Sequence, residues 1–319
     1  MKRNTISLIL LISLVFVGCG RNEPEAIVQK PIISHTVTAP LNNNVKPEPS
    51  TPKPSKDNIK PEPSTPEVVV NKPSTPISDK PTADPLTLSS SEKNWYYSPK
   101  TDGTSPAPPK EVGDYLQRFS GYYLGDTTKK INYLTFDEGY ENGYTSKMLD
   151  ILKANNVQAS FFVTTPYIND NKDLIKRMVA EGHLVCNHST THPSMAGIRD
   201  RDKFNAELIT CENTFETLTG TKMKKFFRPP MGKYSELSMY YTQQLGYKSV
   251  FWSFAYADWD TAKQPSEDYA KNLIMQRTHN GGILLLHAVS KTNANILDYL
   301  LKEWTSKGFE FKTLNELPM

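Results

Sequence analysis

The chain has 319 residues, with 37 Lys and Arg against 34 Asp and Glu, a formal net charge of +3. So even a balance offers no bulk attraction for a polyanion, and no nucleic-acid partner is expected. Apolar content of 37% is low for a folded protein, but the shortage is local: 14 of the 24 prolines, and no Phe, Trp, Tyr or Gly, fall between Arg21 and Asn94.

Lys2 and Arg3 precede the apolar run "ISLILLISLVFVG", which ends at Cys19. The run is shorter than the ~20 residues a spanning helix needs. A basic start, a short apolar stretch and small Gly18 before the cysteine are the marks of a signal peptide over residues 1–19. The ending "FVGC" resembles the lipobox of bacterial lipoproteins, which makes Cys19 the expected lipidation site; an uncleaved membrane anchor is the alternative. Both place the remainder on the extracytoplasmic face of the membrane. Residues 20–94 repeat "KPEPSTP" at Lys46 and Lys60 and "KPSTP" at Lys72, with nine basic and nine acidic residues from Arg21 to Asn94. Such a segment cannot bury enough apolar surface to offset its ordering entropy, so a disordered, extended tether is expected. At about 3.1 Å per residue in polyproline II, some 70 residues reach on the order of 200 Å. From Trp95 the composition is that of an ordinary globular domain, assigned to residues 95–319. Three cysteines make no disulfide framework, and Cys186 and Cys211 are expected to be buried as small hydrophobes.

From Ile131 onward a short apolar run, a polar turn and an amphipathic helix recur. "INYLTF" leads to a helix over 144–155, "QASFFVT" to 170–181, and "HLVCN" to 200–219, which Gly220 closes. "KFFR" leads to 235–245, closed by Gly246; "KSVFWS" to 266–278; "GILLLH" to 292–307; and "FEFKT" ends the series. Nearly continuous apolar strands in alternation with helices indicate an α/β fold, a parallel sheet of about seven strands covered by helices. A (β/α) barrel is the leading form and an open doubly wound sheet the alternative. No glycine-rich phosphate loop follows the first strand, which argues against a nucleotide site.

In barrels the chemistry sits at the carboxyl ends of the strands. Here Asp137 and Glu138 end the first strand, His188 follows the third, Arg228 ends the fourth, Asp258 lies after the fifth, and His287 ends the sixth. Two adjacent carboxylates at the end of an apolar run repel, and are tolerated when a cation stands against them. "NHSTTHP" can supply it: His188 and His192, four apart, can bind one metal, and with one carboxylate they form a two-His, one-carboxylate set that leaves positions open. His183 and His279 read as structural or surface residues.

"TFDEG", "HSTTH", "RPPMG", "ADW" and "LLLH" resemble, in order, the five motifs of the polysaccharide deacetylases of carbohydrate esterase family 4, the NodB homology domain, over about residues 130–315. The longer runs "TFDEGYENGYT", "VFWSFAYADWD" and "LLLHAVS" are most similar to the delta-lactam-biosynthetic subgroup, which acts on N-acetylmuramic acid in peptidoglycan. The resemblance implies a distorted (β/α) barrel and a divalent metal ion, Zn first, with Mn, Mg or Co as alternatives. By motif, Asp137 is the implied general base and Arg228 its partner; Glu138, His188 and His192 are the metal ligands. Asp258 orients the general acid His287, while Trp259, Met231 and Tyr140 line the substrate. Where the family has Asp, this chain has Glu138, one methylene longer, which is expected to shift the metal or loosen its binding; Met231 and Ala255 also depart from the family pattern. The implied partners are peptidoglycan glycan strands, the membrane through lipid on Cys19, and an N-acetylmuramoyl-L-alanine amidase acting upstream. A sporulation role and action within the cell wall follow from the subgroup.

Overall fold

The computed structural model describes residues 84–318, so the expected signal peptide, Cys19 and most of the Pro-rich segment lie outside the described residues. In chain order the strands are β1 (Lys93–Asn94), β2 (Gly121–Tyr122), β3 (Ile131–Glu138), β4 (Ser160–Val163), β5 (Leu184–Asn187), β6 (Lys224–Phe227), β7 (Lys233–Tyr234), β8 (Lys248–Val250), β9 (Gly282–His287) and β10 (Glu310–Phe311). The helices are α1 (Tyr115–Arg118), α2 (Thr145–Ala154), α3 (Thr165–Asp170), α4 (Lys172–Ala180), α5 (Arg201–Thr219), α6 (Glu236–Gln244), α7 (Glu267–Gln276) and α8 (Lys291–Ser306).

The seven strands expected from the sequence are all present and pair in parallel, with β3 at the centre. It pairs with β9 along Asn132–Asp137, with β4 over Thr135–Glu138 and with β10 at Ile131 and Asn132. The path continues through β5, β6 and β8 to β2, a strand not foreseen in the sequence. The ring closes through two bridges to β9: Phe254, just past β8, pairs with Leu284, and Leu124, just past β2, with Gly282. This is a distorted barrel rather than an open doubly wound sheet.

Side chains alternate across a strand, and β3 shows what that does here. Tyr133 packs inside the barrel with Phe162, Cys186, Phe226, Val250 and Ile283. Leu134 and Phe136 face the helices and pack with Met148, Leu149, Leu152, Ile175 and Met178. The inward row of β3 then continues to Thr135 and Asp137, at the carboxyl end. Helix ends follow their capping residues. Asp200 accepts from the backbone N–H of Asp202 and Lys203 to start α5, and Gly220, at φ 69°, ends it. Ser235 and Ser238 cap α6 reciprocally.

Two differences from the sequence expectation have clear causes. The helix expected over 170–181 is present as α4, but a short helix not foreseen, α3, precedes it: Thr164 caps α3, with a proline in its first turn, and Asn171 (φ −124°, ψ 45°) separates the two. Residues 84–94, placed in the tether on composition, lie against the domain instead. Leu88 is buried, the Ser89 carbonyl accepts from the Leu237 N–H, and β1 pairs antiparallel with β7. Trp95 then stacks on Phe251, at 4.2 Å between ring centroids, and donates its indole N–H to the Trp252 carbonyl. Cys186 and Cys211 are free and buried, as expected.

Candidate active site

Asp137 ends the inward row of β3. Its Oδ1 accepts from Arg228 Nη1 at 2.7 Å, and both residues are almost fully buried. Arg228 also donates from Nη2 to Thr135 Oγ1 (2.8 Å) and from Nε to the Val250 carbonyl (3.2 Å), and its guanidinium lies over the Phe162 ring at 4.2 Å. The charge is therefore fixed on every side. Burial acts to raise the Asp137 carboxyl, but Arg228, with His188 and His287, outweighs it and holds the group below its ordinary value. Asp137 is ionised and poised to accept a proton.

His188 follows β5. Its Nδ1 lies 2.8 Å from the Arg228 carbonyl, an acceptor, so Nδ1 carries the proton and Nε2 keeps its lone pair. His192 Nε2 is 3.2 Å from His188 Nε2, and Asp137 Oδ2 is 3.5 Å from the latter. Burial lowers both imidazoles, His192 to about 3, so both are neutral, the form able to ligate a metal. The loop between them is held by Glu207 of α5, whose carboxylate accepts from the N–H groups of Thr190 and Thr191 and from Thr191 Oγ1. Ser189 and His192 have positive φ, 70° and 57°, as does Met231 at 59° on the loop after β6. Among the described residues, three of the five non-glycine residues with positive φ thus sit at this mouth. Each costs roughly 1–3 kcal/mol, a strain that fixed site loops carry.

On the opposite side, His287 ends β9. Its Nδ1 donates to Asp258 Oδ1 (2.8 Å) and its backbone N–H to Asp258 Oδ2 (2.9 Å). Burial works against the imidazolium, yet the Asp258 carboxylate and its hydrogen bond more than offset that, so the pKa of His287 is raised. Nε2 is left as the atom able to hand over a proton. Gln264 braces the same loop by donating to the Asp258 and Asp260 carbonyls.

The two imidazoles fit a divalent cation. For metal–nitrogen bonds of about 2.05 Å, the edge of a tetrahedron is about 3.3 Å, close to the Nε2 separation of 3.2 Å. Glu138, expected as the third ligand, is not brought to them. It pairs in register with Val163 on the face opposite Asp137, and its buried carboxylate oxygens have neither a hydrogen-bond partner nor a cationic group within 4.0 Å. Among the described residues no three His, Cys, Asp or Glu side chains gather as a metal-holding group. The cause is the period of the strand, since adjacent residues point to opposite faces. Alternation also separates the two charges: Arg228 stands against Asp137 alone, while burial, then Glu141 and Asp137, drive Glu138 well above the usual carboxylate range, toward its neutral form.

Of the other expected residues, Tyr140 is exposed in the loop after β3, Met231 is half-buried, and Trp259 is half-buried with its indole N–H unpartnered. His183 and His279 are structural, as expected. His183 Nδ1 accepts from the Ala159 N–H, and His279 bridges the Arg277 carbonyl and Ser253. Glu207, Gln264 and Asn293 were not foreseen, because each reaches the site from a different element and no local motif marks them; Thr135 opens the motif "TFDEG" but was given no role there.

A parallel barrel whose strand ends bring together an ionised carboxylate, an imidazole pair and an imidazole tied to a carboxylate has the groups that a hydrolase needs. Residues 124–250 match the family described as polysaccharide deacetylase. The chain is 38% identical over 224 residues, 70% of its length and 85% of the relative's, to the peptidoglycan-N-acetylmuramic acid deacetylase PdaA of Bacillus subtilis. To a peptidoglycan-N-acetylglucosamine deacetylase of Bacillus cereus it is 31% identical over 217 residues, 67% of this chain and 76% of that one. The solved structure of B. subtilis PdaA, a family 4 carbohydrate esterase, superposes with a TM-score of 0.70 at 38% identity, covering 72% of this chain and 98% of that one. The chain belongs to the polysaccharide deacetylase family, carbohydrate esterases of family 4, hydrolases that act on amide bonds and are generally metal-dependent.

Proposed function

We propose that this protein is a metal-dependent de-N-acetylase of peptidoglycan glycan strands, which removes acetyl from N-acetylmuramic acid on the route to the muramic delta-lactam. The observation that carries the reading is the convergence of the Asp137–Arg228 pair, the two imidazole Nε2 atoms and the Asp258–His287 pair. His188 and His192 would hold a divalent cation, which would supply Lewis acidity to an acetyl carbonyl, for an amide is a poor electrophile. Asp137, kept ionised by Arg228, takes a proton from the attacking water. The backbone N–H of Met231 stabilises the charge that develops on the carbonyl oxygen; Pro229 and Pro230 have none, and those of Gly232 and Lys233 donate to the Pro229 and Pro230 carbonyls. His287, oriented by Asp258, protonates the departing amine, which cannot leave as an anion. Each proton transfer contributes about 10²–10⁴-fold.

The muramic acid assignment is supported by the motif runs and by the similarity to PdaA, whose name specifies that sugar. The freed amine can close on the lactyl carboxyl only where the stem peptide is gone, so an amidase acts first. Lipid on Cys19 and the Pro-rich segment hold the domain outside the membrane and let it reach into the wall; its catalytic part is residues 95–319 with the preceding strap. A second reading, N-acetylglucosamine deacetylation, draws on the 31% identity to the B. cereus enzyme.

The test incubates the protein with Zn²⁺, Mn²⁺ or Mg²⁺ and peptidoglycan, with and without prior amidase treatment, and follows acetate and muropeptide mass. Acetate with lactam masses only after amidase treatment is the expected result. Release from intact glycan without lactam establishes the glucosamine reading. Glycan binding with no acetate under any metal makes the protein a binding module.

A further inference from the structure

Asn293, in the first turn of α8, is 2% exposed and makes contacts that a helix start does not require. Its Nδ2 donates to Asp258 Oδ2 at 2.6 Å and to the His287 carbonyl at 3.1 Å, and its Oδ1 accepts from the Tyr256 hydroxyl. The amide can sit only one way round. A carbonyl oxygen and an ionised carboxylate are acceptors without a hydrogen, so the NH₂ must face them both and the oxygen must face Tyr256. Asp258 Oδ2 then holds two donors, Asn293 Nδ2 and the His287 N–H, which lock the carboxylate against rotation and leave Oδ1 aligned with His287 Nδ1. Because Asn293 also grips the His287 carbonyl, it ties the end of β9, which carries the acid, and the loop that carries its partner to one rigid helix start.

We infer that Asn293 is a positioning residue for the general acid of the reaction proposed above, acting through Asp258 to keep the His287 Nδ1–H on the carboxylate, so that the imidazolium gives up the proton on Nε2, toward the substrate, and is left as the Nδ1–H tautomer. Tyr256 serves the same end by fixing which way the amide faces. The role is distinct from helix capping, which Ser290 performs by accepting the Asn293 N–H at 3.1 Å.

The experiment uses the full-length protein labelled with ¹⁵N-histidine, as wild type, Asn293→Ala, Tyr256→Phe and the double variant. Nitrogen shifts give the tautomer and titration midpoint of His287; acetate release from peptidoglycan gives kcat and KM; melting gives the folded fraction. In Asn293→Ala the expected result is a mixture of His287 tautomers and a kcat about 10- to 100-fold lower, short of what a whole general acid supplies. KM should stay within about twofold, the pattern of a group felt only in the transition state. Tyr256→Phe should show a smaller loss, and the double variant should be no worse than Asn293→Ala, since both act through one amide. A folded Asn293→Ala protein with the wild-type tautomer and kcat overturns the inference, as does full additivity of the two losses. If Asn293→Ala fails to fold, Tyr256→Phe carries the tautomer test with the asparagine in place. If the wild type releases no acetate from any glycan, the deacetylase reading fails while the nitrogen shifts still decide the role of Asn293.

Discussion

Arg228→Met removes the guanidinium from a pair that is 2.7 Å apart and nearly dry, and keeps most of the side-chain volume. At a charge separation of about 4 Å and an effective dielectric of about 20, the lost attraction is roughly 4 kcal/mol, or about 3 pKa units. Burial, the largest influence on Asp137, already pushes its carboxyl upward, so the variant carboxylate should move from below its ordinary value to well above it. The proton acceptor must be ionised, so the acid limb of kcat/KM should shift up by roughly 2–3 pH units. Stability follows by linkage. In the wild type the lowered carboxyl contributes stability that is fully present above the unfolded value of about 3.9 and is lost as pH falls through the folded value. In the variant the sign reverses, and acidification through the raised folded pKa relieves a penalty. Breaking a buried pair costs about 3–5 kcal/mol, which lowers the melting temperature of a domain this size by on the order of 10 °C. The assay is a pH–rate profile on acetate release beside a melting curve at each pH. A folded Arg228→Met protein with an unmoved acid limb would refute the assignment of Asp137 as an acceptor tuned by Arg228.

His188→Ala should abolish metal binding measured by calorimetry, whereas Glu138→Gln should change it by no more than about threefold, because Glu138 does not reach the imidazole pair; a large loss in Glu138→Gln would place the carboxylate on the metal. Since His287 is raised and must be protonated to act, the alkaline limb of the rate profile should lie above the ordinary imidazole value of about 6.5 and should vanish with turnover in His287→Ala. A chain that begins at Trp95 should melt several degrees below one that begins at Asp84, at about 2–4 °C per kcal/mol, because it lacks Leu88 and the β1–β7 ribbon; equal melting curves would make residues 84–94 dispensable.

The barrel was legible because each strand is a short apolar run and most helices carry their own punctuation, such as Asp200 with Gly220 and Ser235 with Gly246. The strand-end rule then located Asp137, His188, Arg228, Asp258 and His287, which the fold gathers at one mouth. What local reading could not resolve is the face each residue takes at a strand terminus. Asp137 and Glu138 are neighbours in sequence and opposites in space, and the charge pairing expected for both holds for one. Long-range supports were equally hidden. Glu207 lies 16 residues from the loop it holds, and Asn293 lies 35 from Asp258. Residues 84–94 read as tether because their composition is polar; their order comes from partners far along the chain, above all Tyr234 and Leu237.

The strap they form has a mechanical consequence. Glu92 accepts from Ser194, two residues past His192, and pairs with Lys233, two residues past Met231, while the Trp95 N–H bonds the Gly232 carbonyl. Force applied to the chain upstream of Asp84 therefore enters the domain through the loops of the mouth, not through the far side of the barrel. Its path carries the two-residue ribbon, the Glu92 contacts to Ser194 and Lys233 and the Ser89 bonds to Leu237 and Glu236, so a load on this end, or a bulky fusion there, acts on the mouth loops and the start of α6 before it reaches the sheet.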